Sequence, residues 1–81
     1  MRIRVQLFAV ARQLAGRDAV IVDVAEGATV ADVRSALLTF VPQLESVVAN
    51  ARWAVDAQFV GDDHPVGERA EMALIPPVSG G

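Results

Sequence analysis

The residues best suited to chemistry in this chain are its last two, Gly80 and Gly81. They follow Leu74-Ile75-Pro76-Pro77-Val78-Ser79, an apolar strand-like run that stops at a proline pair and continues into a short tail. Two glycines leave the terminal carboxylate with no Cβ nearby, so backbone and carboxylate can enter a narrow slot. The prolines fix φ and favour an extended path away from the domain. From Pro76 to Gly81 the reach is roughly 20 Å, at ~3.3–3.6 Å per residue. That suits delivery of a carboxylate into another protein's active site. A frayed end made of small residues is the competing expectation. It ranks lower because Gly-Gly follows directly on an apolar strand and Pro-Pro in so small a domain.

Other reactive side chains are scarce. The chain has no cysteine, so neither a disulfide framework nor a thiol nucleophile is available. All seven basic residues are arginines, leaving no side-chain amine for a Schiff base or for attachment of another protein. His64 stands beside Asp62 and Asp63, but one histidine and two adjacent carboxylates lack metal-ligand spacing, and a solvated loop is expected. Gly16 has no glycine-rich motif around it and reads as a helix stop, not a phosphate cradle. Trp53 reads as core or sheet surface, and Arg2 and Arg4 as a solvated strand face. No nucleophile–base pair is visible, so an enzyme acting alone is the least expected reading.

The 81 residues make one domain near the lower size limit for unaided folding. With 53% hydrophobic residues a modest core is feasible, but not a core and a buried catalytic cleft together. Any chemistry is therefore expected to be completed by a partner. A net charge of −3 argues against nucleic-acid or anionic-membrane binding. No apolar stretch approaches the ~20 residues that span a bilayer. Met1-Arg2-Ile3-Arg4 passes directly into an alternating pattern without a signal-peptide h-region, so a soluble cytoplasmic protein is expected.

The elements that must position the tail follow from periodicity. Arg2 to Phe8 alternates, with Ile3, Val5 and Leu7 on one side, and predicts a half-buried strand. Val10 to Ala15 predicts a short helix stopped by Gly16. Asp18 to Val24 predicts a second, antiparallel strand with Val20, Val22 and Val24 on one face. Thr29-Val30-Ala31-Asp32 resembles a capping box ahead of the principal helix, whose stripe is Val30, Val33, Leu37 and Val41, flanked by Ala36 and Phe40. Pro42 ends it, and Leu44 to Val48 allow one further turn. Trp53 to Val60 predicts a third strand with Trp53, Val55, Ala57 and Phe59 on one face. Gly61 to Pro65 forms a loop, and Glu71 to Ile75 the last strand. The order β-β-α-β-β predicts an α+β roll of two layers. Its helix should pack on Ile3, Val5, Leu7, Val22, Val55 and Leu74.

This strand order with a Gly-Gly end resembles the β-grasp, or ubiquitin-like, fold. More narrowly, Leu7-Phe8-Ala9 near the start and the Pro76-Pro77-Val78-Ser79-Gly80-Gly81 ending resemble the small sulfur-carrier subunits of molybdopterin synthase. Ala54-Val55-Asp56 falls where that family usually reads Ala-Val-Asn, and Asp63-His64-Pro65-Val66 matches its loop before the final strand. Arg69-Ala70 stands where the family usually has Gly-Asp. The resemblance implies a mixed sheet of about four to five strands with one principal helix on one face. It implies a β-grasp domain over residues 1–75 and a flexible tail over 76–81.

It also implies a chemistry. A carboxylate is a poor electrophile, whereas an acyl-adenylate carries a good leaving group. An ATP-dependent activating enzyme would adenylate the Gly81 carboxylate, and a persulfide sulfur would then replace one oxygen. The resulting thiocarboxylate would enter the large catalytic subunit of molybdopterin synthase, where its sulfur attacks the cyclic pterin precursor to build the dithiolene. Gly81 carries the sulfur in this reading and Gly80 permits its passage. No cofactor is bound permanently; the adenylate and thiocarboxylate are transient covalent states. Partner contacts are expected at Phe8, Phe59, Ile75, Pro76, Pro77, Val78 and Ser79, on the exposed sheet face and the base of the tail. Two carriers on a dimer of large subunits are the implied assembly. Two other readings stay open: a carrier for thiamine, cysteine or tRNA thiolation, and a ubiquitin-like interaction module without sulfur chemistry.

Overall fold

The computed structural model describes residues 1–77. The alternating start forms β1 (Arg2–Leu7), burying Ile3, Val5 and Leu7 and exposing Arg2 and Arg4. A helix, α1 (Ala9–Ala15), follows and ends at Gly16, whose φ of 72° lets its N–H reach the Arg12 carbonyl at 3.0 Å. The chain then returns antiparallel to β1 as β2 (Ala19–Asp23), with Val20 and Val22 facing the core.

The principal helix, α2 (Val30–Phe40), buries Val30, Val33 and Leu37, and Val41 at its C-cap is buried too. At its start the Asp32 carboxylate accepts the Thr29 backbone N–H at 2.9 Å and the Thr29 hydroxyl at 3.2 Å. Two further free N–H groups of that first turn are satisfied by a distant loop: Val30 N–H donates to the His64 carbonyl and Ala31 N–H to that of Asp62, at 3.0 and 3.1 Å. Asp62 also takes Arg34 at 2.7 Å. The Gly61–Pro65 segment, expected as a solvated loop, thus acts as a clasp on α2. A 3-10 turn (Pro42–Leu44) and a short helix, α3 (Glu45–Val48), lead on to the remaining strands.

These strands are β3 (Arg52–Val55), β4 (Gln58–Val60) and β5 (Glu71–Ile75). The sheet order is β2-β1-β5-β3-β4, with β1 and β5 parallel in its interior and the other pairs antiparallel. All six side chains expected beneath the helix, Ile3, Val5, Leu7, Val22, Val55 and Leu74, are buried in one core.

The expected single strand from Trp53 to Val60 is instead a hairpin. Asp56 and Ala57 both take positive φ, 50° and 68°, and make a two-residue turn between β3 and β4. The turn changes which residues share a face. Trp53 and Val55 point into the core, while Phe59 lies opposite Ala54 and is exposed on the other side of the sheet. The unbroken alternation Trp53, Val55, Ala57, Phe59 concealed this, because no glycine marks the turn.

Candidate functional site

The helices cover one face of the sheet, and the other remains open among the described residues. On that open face the register sets Ala54 of β3 directly beside Ala73 of β5. Two methyl-sized side chains make a low floor between taller neighbours. The result is an apolar depression of about 330 Å³, with Phe8, Phe59 and Ile75 on its walls and Ala57 at the hairpin end. Phe8 is 44% exposed and Phe59 53%, so both rings are available at the surface and contribute little to the core.

Local backbone geometry puts the walls where they are. Phe8 directly follows the buried Leu7 and caps α1 in an extended conformation, and Ala9 after it has a φ of 52°. That reversal turns the chain from strand to helix and leaves the Phe8 ring on the open side. At the hairpin, the Asp56 carboxylate accepts the Glu71 N–H at 3.1 Å while Asp56 N–H donates to the Glu71 carbonyl at 2.9 Å. The turn is thereby fastened to the start of β5, and Asp56 supplies the same acceptor an asparagine would. Among the described residues, Ala9, Asp56 and Ala57 are the non-glycine residues with positive φ, and all three flank this depression. Strained conformations persist where the surrounding structure enforces them, and they concentrate at functional surfaces.

Arg52 stacks a charge on this surface. Its guanidinium carbon lies 3.9 Å from the centroid of the Phe59 ring, and Arg52 sits opposite Ile75 in the β3–β5 register. Stacking holds the ring upright and keeps a cation beside the root of the tail.

The structure therefore brings Phe8, Phe59 and Ile75 together, although they come from three separate parts of the sequence. Pro76 is buried and Pro77 exposed, so packing extends one residue beyond the expected domain boundary at 75. Val78, Ser79, Gly80 and Gly81 lie outside the described residues. Sequence reasoning missed Ala54, Ala73 and Ala57 as floor and end of the depression, and Arg52 at its rim. Strand parity would have found them once the hairpin was recognised. His64 contributes its backbone carbonyl to the helix clasp, and Trp53 is core. The Arg69-Ala70 departure is accommodated by a turn in which Ala70 N–H donates to the Gly67 carbonyl at 3.0 Å.

A family model described as ThiS family matches residues 5–81, nearly the whole chain and including the Gly-Gly end. The chain belongs to the ThiS family. Over 81 residues it is 35% identical to the molybdopterin synthase sulfur carrier subunit of Arabidopsis thaliana, spanning 100% of this chain and 84% of that protein. It is 31% identical to the Chlamydomonas reinhardtii protein of the same name over 83 residues, covering 100% of both. Among solved structures, SAMP1 from Haloferax volcanii superposes with a TM-score of 0.92 at 32% identity, again over 100% of each chain. A chain from the complex of subunits 1 and 2 of the molybdopterin-converting factor of Helicobacter pylori gives 0.73 at 17% identity, over 100% of both, a likeness of fold. The ThiS-family chain thus has the ubiquitin-like β-grasp architecture, with five strands where the resemblance implied about four to five. Among the described residues no helix is long and apolar enough to cross a membrane.

Proposed function

We propose that this chain is the sulfur-carrier subunit of a molybdopterin synthase, a cytoplasmic protein whose Gly81 carboxylate holds the sulfur. The observation that carries the reading is the apolar depression on the open sheet face, walled by Ile75 of the strand that runs on into Pro76, Pro77 and Gly80-Gly81. A docking surface and a side-chain-free terminus then lie six residues apart in one stretch of sequence, from Ile75 to Gly81. Similarity along the full chain to two proteins named as molybdopterin synthase sulfur carrier subunits supports the same reading.

The chemistry is the one that the family resemblance implies, with sulfur carried on the Gly81 carboxylate. The absence of cysteine fits it, since no side-chain thiol competes for that role. In the proposed sequence the carboxylate oxygen attacks the α-phosphorus of ATP on an activating enzyme and pyrophosphate leaves. A persulfide sulfur then displaces AMP at the Gly81 carbonyl carbon, and a thiol reductant frees the thiocarboxylate. On the large subunit of the synthase that sulfur is a soft nucleophile toward the cyclic pterin precursor. Phe8, Phe59 and Ile75 dock the large subunit, and Pro76, Pro77, Val78, Ser79 and Gly80 lead the terminus inward. Because the chain has no lysine, any lysine near the acyl carbon belongs to a partner.

Intact mass after incubation with ATP, a persulfide donor and the host's activating enzyme tests this directly. A gain equal to one sulfur less one oxygen, located at Gly81, is the expected result. An unchanged mass, with a control carrier converted in parallel, would overturn it. Gly81→Ala should block transfer, because the added Cβ meets the walls of the slot.

The likeness to SAMP1, a protein whose name in a second structure is small archaeal modifier protein 1, favours one further reading. In that reading an amine of another protein displaces AMP from the Gly81 adenylate of this chain. Adducts heavier than an acceptor by the whole chain would support it.

A further inference from the structure

The two most exposed large apolar side chains are not on the depression. Phe40 is 60% exposed and Ile21 56%, and both line a second groove, between the β2 edge of the sheet and the last turn of α2. Val22, Asp23, Ala36 and Thr39 complete it. Edge strands carry unpaired backbone groups that template strand addition, and proteins usually protect them by shortness or charge. The β4 edge is only three residues long. The β2 edge runs Ala19-Val20-Ile21-Val22-Asp23, with no charge before its final residue.

The ladder shows which groups are free. Val24 N–H donates to the Met1 carbonyl, the Met1 ammonium donates to the Val24 carbonyl, and Leu7 N–H donates to Asp18. Hydrogen-bonded pairs alternate along an antiparallel ladder. In the observed register the bonded pairs therefore fall at Val20 and Val22, and Ala19, Ile21 and Asp23 direct their N–H and C=O groups outward from the sheet. These three residues are symmetric about Ile21.

We infer that the β2 edge is a self-association site, at which a second copy of this chain adds its own β2 antiparallel about Ile21. The outward groups of the two strands are then matched to each other. Ile21 pairs with its own copy, and Ala19 pairs with Asp23 in both directions, giving about six ladder bonds. Charge also fits. Arg17, which makes no ion pair among the described residues, precedes the strand and Asp23 ends it, so antiparallel pairing brings each Arg17 toward Asp23 of the second copy. Ile21 covers the seam on the open face and Phe40 covers it on the helix side. Two five-stranded sheets continue as one. Because β2 is separated from β5 by β1, both depressions remain clear, and the inference stands apart from the sulfur-carrier reading.

Sedimentation equilibrium of the full chain, from micromolar to millimolar loading, tests it alongside amide exchange. The expected result is a monomer–dimer equilibrium in which the Ile21 and Asp23 amides gain protection with concentration. Ile21→Lys, an exposed change that sets two cations together at the seam, should weaken the dimer by on the order of 100-fold. Phe40→Ser should weaken it through the other face. A monomer at every concentration, or a dimer unaffected by both variants, overturns the inference. Ile21 protection that appears only on adding the large synthase subunit would assign the edge to that protein and likewise overturn the second copy as occupant.

Discussion

Ala9 and Ala57 hold left-handed backbone conformations, with φ of 52° and 68°, that an alanine side chain disfavours. Glycine adopts them without Cβ crowding, so Ala9→Gly and Ala57→Gly should each stabilise the fold by about 1 kcal/mol. Urea denaturation with an unchanged m-value is the check. Asp56 is a different case, since its short polar side chain tolerates this region and its carboxylate binds the Glu71 N–H. Asp56→Asn should be close to neutral, and Asp56→Ala should lose about 1 kcal/mol with that bond. The strain at two alanines and the bond at Asp56 serve one outcome, the placing of Phe8 and Phe59 on the open face.

At the scale of elements, α2 depends on contacts from outside itself. Asp32→Ala removes the acceptor for the Thr29 N–H and hydroxyl and should destabilise by about 1 kcal/mol in thermal or urea unfolding. Leu37→Ala, at a fully buried site, should cost about 2–5 kcal/mol. The first strand, this helix and the last strand were legible in the sequence because each shows its burial as a period, two for Ile3-Val5-Leu7 and nearly four for Val30-Val33-Leu37. The β3–β4 hairpin was not. Its turn residues, Asp56-Ala57, lack the glycine that normally signals positive φ, and the apolar alternation continues across them. The clasp on α2 was equally hidden, since it consists of backbone carbonyls of Asp62 and His64 and an Arg34–Asp62 ion pair that spans 28 positions of sequence. The Gly80-Gly81 reading lies outside the described residues, and the floor of Ala54 and Ala73 exists only after the register is set.

For the whole molecule, the open face and the helix-covered face divide the work. Core residues hold the sheet, and the exposed rings on the open side can change without unfolding it. Phe59→Ser and Phe8→Ser should each leave the melting temperature within a few degrees yet raise the Kd for the large synthase subunit roughly 10-fold or more, as apolar anchors at interfaces do. Titration calorimetry with the two proteins would read this, and unaltered affinity in both variants would remove the depression from the docking surface. The position of β5 has a consequence for biosynthesis. It is the last described strand to leave the ribosome, yet it lies in the interior of the sheet, between β1 and β3, and carries the buried Met72 and Leu74. Until it emerges, the first strand has no parallel neighbour and the hairpin has nothing to dock on. Folding must therefore wait until β5 has emerged, and a chain cut short before β5 fails as a fold. Quality control is thus built into the strand order: whatever follows β5 in the chain is carried only by a molecule whose sheet is complete.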